Sequence, residues 1–208
     1  MNISFAICTH NETDSLRKLI NRILELKREN DEIVILDDFS ENKETLEIIQ
    51  NHNHRQHRLN GNYGVHKNKL NDMCEKDFIF QFDADELPTE PLIKNAHDII
   101  VKKQNKDLIK IPRVNYVHGI TELHLKKWNW KRDHLNRINY PDFQTRLFKN
   151  DKRIRWTRAV HEIITGHHYM DIIEPNTFHE IIHIKDIKTQ EESNARYHRN
   201  YDQSYEKL

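Results

Sequence analysis

The apolar run Phe78-Ile79-Phe80-Gln81-Phe82 ends in Asp83-Ala84-Asp85, with Glu86 directly behind. Carboxylates at the end of a strand-forming run are costly if they are buried without a partner. Two held close together repel, and a hard divalent cation with oxygen ligands relieves the repulsion. At the C-terminal edge of a sheet such a cation is placed to grip a diphosphate. The competing reading is an Asp-rich turn after an edge strand, and Asp-x-Asp alone does not separate the two.

Two further polar clusters bear on that choice. Ile3–Cys8 reads as a buried strand that runs into Thr9-His10-Asn11-Glu12, and Ile33–Leu36 as a second strand stopped by Asp37-Asp38. Between them, Leu16, Leu19, Ile20, Ile23 and Leu24 recur at helical spacing from Thr13 to about Lys27, with Thr13, Asp14 and Ser15 offering capping chemistry. A short helix is expected over Lys43–Gln50, a third strand over Arg55–Leu59, a turn at residues 60–64 and a helix over Val65–Cys74. Strands and helices thus alternate up to residue 85, which argues for right-handed crossovers and a mainly parallel sheet flanked by helices. Ligands bind beyond the C-terminal strand ends of such sheets. Three polar clusters at one edge point to a nucleotide-type site.

The second half is less regular. A helix is expected over Leu92–Lys103, strands over Leu108–Val117, Phe143–Phe148, Ala159–Ile164 and Ile181–Ile184, and a terminal helix over Glu191–Tyr205. Residues 119–142, rich in Trp, Lys, Arg and Asn, read as loop. The length of 208 residues suits a single domain, with residues 1–90 and 91–208 as its halves. Lys+Arg and Asp+Glu balance at 33 each, so net charge gives no global argument for nucleic acid or membrane as partner. No apolar run approaches a membrane span, and the N-terminus lacks the basic region of a signal peptide. Cys8 and Cys74 fall inside expected core elements and read as buried thiols of a reducing compartment. A cytoplasmic location is therefore expected.

The ordered set of these segments resembles the family 2 glycosyltransferases of the GT-A fold, well over the first 90 residues and loosely beyond. Ile3–Glu12 is similar to the first strand and donor loop, and Ile33–Asn42 to the second strand, although Phe39 stands where Gly often sits. Asn62–Asn68 is similar to a segment that usually carries Arg, with Lys67 in its place, which turns a bidentate phosphate grip into a point charge. Phe82–Glu86 is similar to the metal-binding Asp-x-Asp. Gln144–Asn150 and Trp156–Glu162 are similar to the acceptor side of a lipopolysaccharide-core-type branch, which also suits a small phage or viral enzyme.

The resemblance implies an inverting transfer from a nucleotide-diphosphate sugar, usually a UDP-sugar, to an acceptor hydroxyl. Mn²⁺ or Mg²⁺ on Asp85, helped by Asp83 and completed by His183, would stabilise the leaving diphosphate. Thr9, His10, Asn11, Glu12, Asp37, Asp38, Lys67, Asn68, Asp83 and Ala84 would line the donor pocket. Glu162 is the expected base, with Asp142 and Glu122 as rivals. Trp128 and Trp130, interleaved with Lys126, Lys127, Lys131 and Arg132, would meet the acceptor together with Arg158 and His161. That acceptor is an anionic glycan, or a hydroxylated base in phage DNA.

Readings of other classes remain at this level. His179-Glu180-Ile181-Ile182-His183 matches the HExxH zinc-protease pattern, which requires a helix to bring both His to one face. A binding module that holds a nucleotide sugar without turnover is a further possibility. A nucleotidyltransferase would bring a Gly-rich phosphate loop, and Thr9–Asp14 contains no Gly. His52, His54 and His57 read as a solvated loop, and the oligomeric state is open.

Overall fold

The structure is a computed structural model that describes residues 1–195. The first half runs β1 (Ile3–Thr9), α1 (Asp14–Leu26), β2 (Glu32–Asp37), α2 (Lys43–Ile49), β3 (Asn53–Gln56), α3 (Tyr63–Asn71) and β4 (Phe78–Asp83). The second half runs β5 (Glu86–Pro88), α4 (Glu90–Lys94), α5 (Ala96–Lys102), β6 (Leu108–His118), α6 (Glu122–Trp128) and β7 (Ile138–Lys149). It closes with β8 (Arg155–Thr157), β9 (Ile163–Thr165), β10 (Met170–Ile172) and β11 (Ile181–Asp186), after which residues 187–195 are helical.

Among the described residues nine strands form one sheet in the order β3-β2-β1-β4-β7-β6-β11-β5, with β10 paired to β6. β1 lies parallel to both β2 and β4, as helical crossovers require. β7 enters antiparallel between β4 and β6, so the sheet is mixed but mainly parallel. β8 and β9 form a separate two-stranded hairpin.

Burial explains the order of the first half. β1 and β4 are apolar on both faces, because helices cover both sides of the central strands. Leu16, Leu19, Ile20 and Ile23 put one stripe of α1 into the core beside Phe5, Phe80 and Phe82. A second cluster on the other face joins Val34, Leu36, Leu70, Ile79, Phe148 and Trp156. Asn42 caps α2 and Asn62 caps α3 through their side-chain oxygens. At α1 the expected side-chain cap is replaced by other contacts. Thr13 meets the Thr45 hydroxyl, and Ser15 donates to Glu12.

Several expectations are corrected. The third strand is Asn53–Gln56, upstream of Arg55–Leu59. The expected helix over Leu92–Lys103 is two short helices meeting at Asn95. Residues 119–142 are not all loop: Thr121 and His124 close a capping box on α6, and Asn129 ends it at φ 55°. Only the end of Ala159–Ile164 is strand, because Arg158 and His161 both have positive φ and bend the chain. The terminal helix begins before Glu191, and its expected end at Tyr205 lies outside the described residues.

Candidate active site

Register brings the three polar clusters together. Thr9 pairs with Asp37, and Cys8 pairs with Asp83, so all of them reach the same C-terminal edge. A cleft of about 620 Å³ opens there. Of the residues expected at a site, Thr9, His10, Glu12, Asp38, Lys67, Asp83, Ala84, Asp85, Glu162, His183 and Trp130 border it. Cys8 lies on its wall; burial first, then the nearby Asp83, pushes its thiol up to about 12, so it is a neutral thiol.

Asp83 faces two cations. Its Oδ2 accepts from Arg146 Nη2 at 2.6 Å, and its Oδ1 lies 4.0 Å from Lys67 Nζ. Burial works against its charge, but Arg146, Lys67 and Arg113 outweigh burial and hold the carboxyl well below the usual range. Glu86, fully buried, accepts from Arg146 at 2.6 Å and Arg113 at 2.9 Å, and its other oxygen takes the Asp83 N–H at 3.1 Å. Glu86 is thus the internal counter-charge of the turn.

Asp85 points the other way. Its Oδ2 lies 3.2 Å from His183 Nε2 and 3.4 Å from Lys185 Nζ. Burial raises its pKa, yet the His183 hydrogen bond and the neighbouring positive charges bring it down to about 2. His183 is oriented through Nδ1, which lies 2.8 Å from Asn115 Oδ1. Asn115 is itself held by Asp142, whose Oδ2 also takes two bonds from Arg113.

This pair fits a divalent cation. Cis ligands of an octahedral Mg²⁺ or Mn²⁺ lie about 3 Å apart, and the Asp85–His183 separation of 3.2 Å matches that. Among the described residues no group of three or more His, Cys, Asp or Glu side chains is arranged around a metal position. A cation there would take only one or two protein ligands and complete its shell from phosphate and water, as Mg²⁺ commonly does. The charge of the cleft points the same way. Six carboxylates line it (Glu12, Asp38, Asp83, Asp85, Asp142, Glu162) against three cationic side chains (Lys67, Arg113, Lys185).

Glu162 meets Lys67 across the cleft in a close ion pair through Oε1, while its Oε2 has no partner among the described residues. Burial acts to lower the Lys67 pKa, but Asp83 and Glu162 together raise it above the usual lysine value. Lys67 also sits 4.6 Å above the Trp156 ring. The Glu162 loop is positioned by α3. Tyr63 N–H donates to Ala159 O at 2.9 Å, and a Cβ on Gly64 would lie 2.5 Å from Arg158 O. Gly64 is there because no larger residue lets the loop this close.

Other expected site residues do not reach the cleft. Asp37 is fully buried, and its carboxylate is taken up by Ser40 and Gln56. Asn11 uses its side chain to hold the Glu41 and Asn42 backbone. Asn68 clamps both the N–H and the C=O of Trp156. Trp128, Arg158 and His161 do not border the cleft, although Trp128 packs at 4.9 Å against Trp130, which does. Of the rival bases, Glu122 is exposed and paired with Arg132, and Asp142 is saturated by Arg113, Asn115 and Gln144. The HExxH pattern fails as a zinc site because Ile181–Asp186 is a strand. His179 instead contacts Asn95, and Glu180 accepts from Tyr140.

Sequence reasoning missed Arg146, Glu86 and Arg113 as the frame of the site. The signal was present for Arg146: a charged residue within the expected strand Phe143–Phe148 must be paired if it is to be buried.

The family model described as glycosyl transferase family 2 matches residues 4–167. Solved structures of S. aureus TarS share the fold. TarS 1-349 has a TM-score of 0.60 at 17% identity over 88% of this chain and 60% of that one. The same TarS fragment in complex with UDP-GlcNAc gives 0.61 at 17% identity, over 89% and 59%. A further S. aureus TarS structure gives 0.59 at 16% identity, over 88% of this chain and 37% of that one. The chain thus spans less than two thirds of each of these proteins. No curated protein matches it in sequence.

Proposed function

The chain belongs to glycosyl transferase family 2, and from that premise we propose that it transfers a sugar from a UDP-sugar to a hydroxyl of a glycan, with inversion and with Mn²⁺ or Mg²⁺. The observation that carries this reading is the meeting of Asp83, Asp85, His183 and the Lys67–Glu162 pair at one cleft. The TarS complex with UDP-GlcNAc supports the donor class on the same fold. Asp85 and His183 would hold the cation, which would supply Lewis-acid stabilisation to the departing diphosphate.

The chain's own residues have distinct tasks. Thr9, His10 and Asp38 line the part of the cleft that takes the nucleoside. Lys67 is a fixed positive charge within reach of both Asp83 and Glu162. Glu162 Oε2 accepts the proton of the acceptor hydroxyl as that oxygen bonds to the anomeric carbon. The bond from that carbon to the diphosphate breaks, and its electron pair leaves with UDP. Attack from the face opposite the leaving group inverts the anomeric centre.

Among the described residues no helix is long and apolar enough to cross a membrane. Thermal-shift measurement with UDP-sugars, with and without Mn²⁺, tests the donor step. A metal-dependent shift, lost in Asp85→Asn and retained in Glu162→Gln, is expected. A shift that ignores both metal and Asp85 would refute the assignment, and no shift with any UDP-sugar would remove the donor class.

A further inference from the structure

A second cavity of about 450 Å³ lies behind the donor cleft. Lys67 and Glu162 are the side chains common to the two walls. The ion pair therefore forms the partition between the compartments. Glu162 stands where a group in the second cavity meets a group in the first. A base must face both the donor carbon and the acceptor oxygen, and this is the position that does so.

The lining of the second cavity differs from that of the first. Phe143, Trp156 and Met170 give it apolar surface, which suits the C–H faces of a sugar ring. Beside the Lys67–Glu162 pair, its wall carries basic side chains that keep a donor or a charge unmatched. Arg146 is buried; its Nη2 is spent on Asp83 and Glu86, but its Nε has no hydrogen-bond partner among the described residues. His167 Nδ1 is likewise buried and unmatched. Lys110, half-buried on the same wall, has no ion-pair partner among the described residues. A buried donor without an acceptor loses the hydrogen bond it made to water and gains none in return. The unmatched Arg146 Nε–H and the half-buried Lys110 make a site that an oxygen-rich anion would complete, and His167 adds a third donor in its Nδ1–H form.

We propose that this cavity is the acceptor site and that it takes a pyranose bearing a carboxylate, with the carboxylate toward Lys110, Arg146 Nε and His167 and a ring hydroxyl toward Glu162. The proposal rests on the transfer reading above. The volume suits one sugar residue and part of a second, so the site reads the terminal acidic unit of a glycan. When transfer occurs, that hydroxyl gives its proton to Glu162, its oxygen bonds to the anomeric carbon, and UDP leaves with the electron pair of the broken bond.

Isothermal titration with methyl β-D-glucuronide as probe, against methyl β-D-glucoside as its uncharged counterpart, tests this in the UDP- and Mn²⁺-loaded protein. The glucuronide is expected to bind at least 10-fold more tightly than the glucoside. Lys110→Ala should lower that affinity about 10-fold, and Met170→Trp, which fills the cavity from its exposed rim, should abolish it. UDP-sugar binding is measured separately by thermal shift in every variant. Equal binding of the two glycosides, no binding of either, or unchanged glucuronide binding in Met170→Trp would each overturn the acceptor assignment while leaving the donor reading intact. Loss of UDP-sugar binding by the unmodified protein would instead overturn the donor reading.

Discussion

Arg146→Met is the perturbation that best tests how the site is built. The guanidinium is 2% exposed and bridges Asp83 and Glu86, each at 2.6 Å. Methionine fills similar volume, so the change is mainly one of charge. Glu86, with a side chain that is 0% exposed, would keep only Arg113 as cationic partner. Breaking a buried ion pair by removing one partner costs about 3–5 kcal/mol. Two features place Arg146→Met near the lower end. Glu86 retains Arg113 and the Asp83 N–H, and the Asp83 side chain is 36% exposed, so water relieves part of its loss.

A cost near 3 kcal/mol is a large part of the 5–15 kcal/mol that stabilises a typical domain. With a urea m-value of about 2 kcal/mol/M, the unfolding midpoint should fall by about 1.5 M. The double variant Arg146→Met/Glu86→Gln removes the stranded charge as well and should recover at least about 1 kcal/mol, a coupling that marks a direct interaction. Urea titration followed by circular dichroism reads all three values. A loss below about 1 kcal/mol in Arg146→Met would refute the reasoning. So would a double variant less stable than the single one, because Glu86 would then not depend on Arg146.

Gly64→Ala gains about 1 kcal/mol of helix propensity but places a Cβ 2.5 Å from Arg158 O. The Glu162 loop must therefore move, and transfer is expected to drop about 100-fold with UDP-sugar binding retained; unchanged steady-state turnover would contradict this. Phe39 has φ 52° and stacks under Arg58 at 4.5 Å. Phe39→Gly relieves about 1–2 kcal/mol of left-handed strain and forfeits about 0.5–1 kcal/mol of cation–π attraction. A net gain under about 1 kcal/mol is expected in urea unfolding, and a net loss beyond that size would show that the aromatic ring matters more than the backbone. Burial, then its neighbour His57, pushes His66 from 6.5 down to about 4. The unfolded chain therefore takes up this proton first as pH falls, so stability is full above about 6.5 and drains between 6.5 and 4. His66→Gln should flatten the fall in Tm over that window by an amount on the order of 5 °C; an unchanged slope would remove His66 as its source.

The first half was legible because its elements announce themselves locally. β1, β2 and β4 are short apolar runs ended by acidic or polar residues, and α1 carries a clean apolar stripe. Parallel pairing then aligned Thr9, Asp37 and Asp83 without further information. The roles at that edge were not legible, because they depend on which way a side chain turns. Asp37 and Asp38 are adjacent, yet Asp37 closes a turn on Ser40 and Asp38 borders the cleft. The Asn68 amide looked like a donor contact because of its neighbours in sequence, but it is used to fasten Trp156, 88 residues away. In the second half, α6 was hidden by its Trp and Lys content although Thr121 and Asn129 mark both ends. Arg158 and His161 adopt positive φ without Gly, which no local pattern signals.

The two compartments beside Glu162 differ in electrostatic character, and that difference orders the chemistry. The donor cleft carries six carboxylates against three cationic side chains. On the reading proposed above, a diphosphate there would add further negative charge, which a divalent cation held by Asp85 and His183 would offset. The second cavity is bordered by Lys67, Lys110 and Arg146 against Glu162 alone. An anion there needs no metal. Lys67 belongs to both walls, and its charge is divided between Asp83 and Glu162. An acceptor hydroxyl reaching Glu162 Oε2 meets a carboxylate already fixed in orientation by the same lysine. One lysine thus ties Asp83 on the first wall to Glu162 at the partition between the compartments.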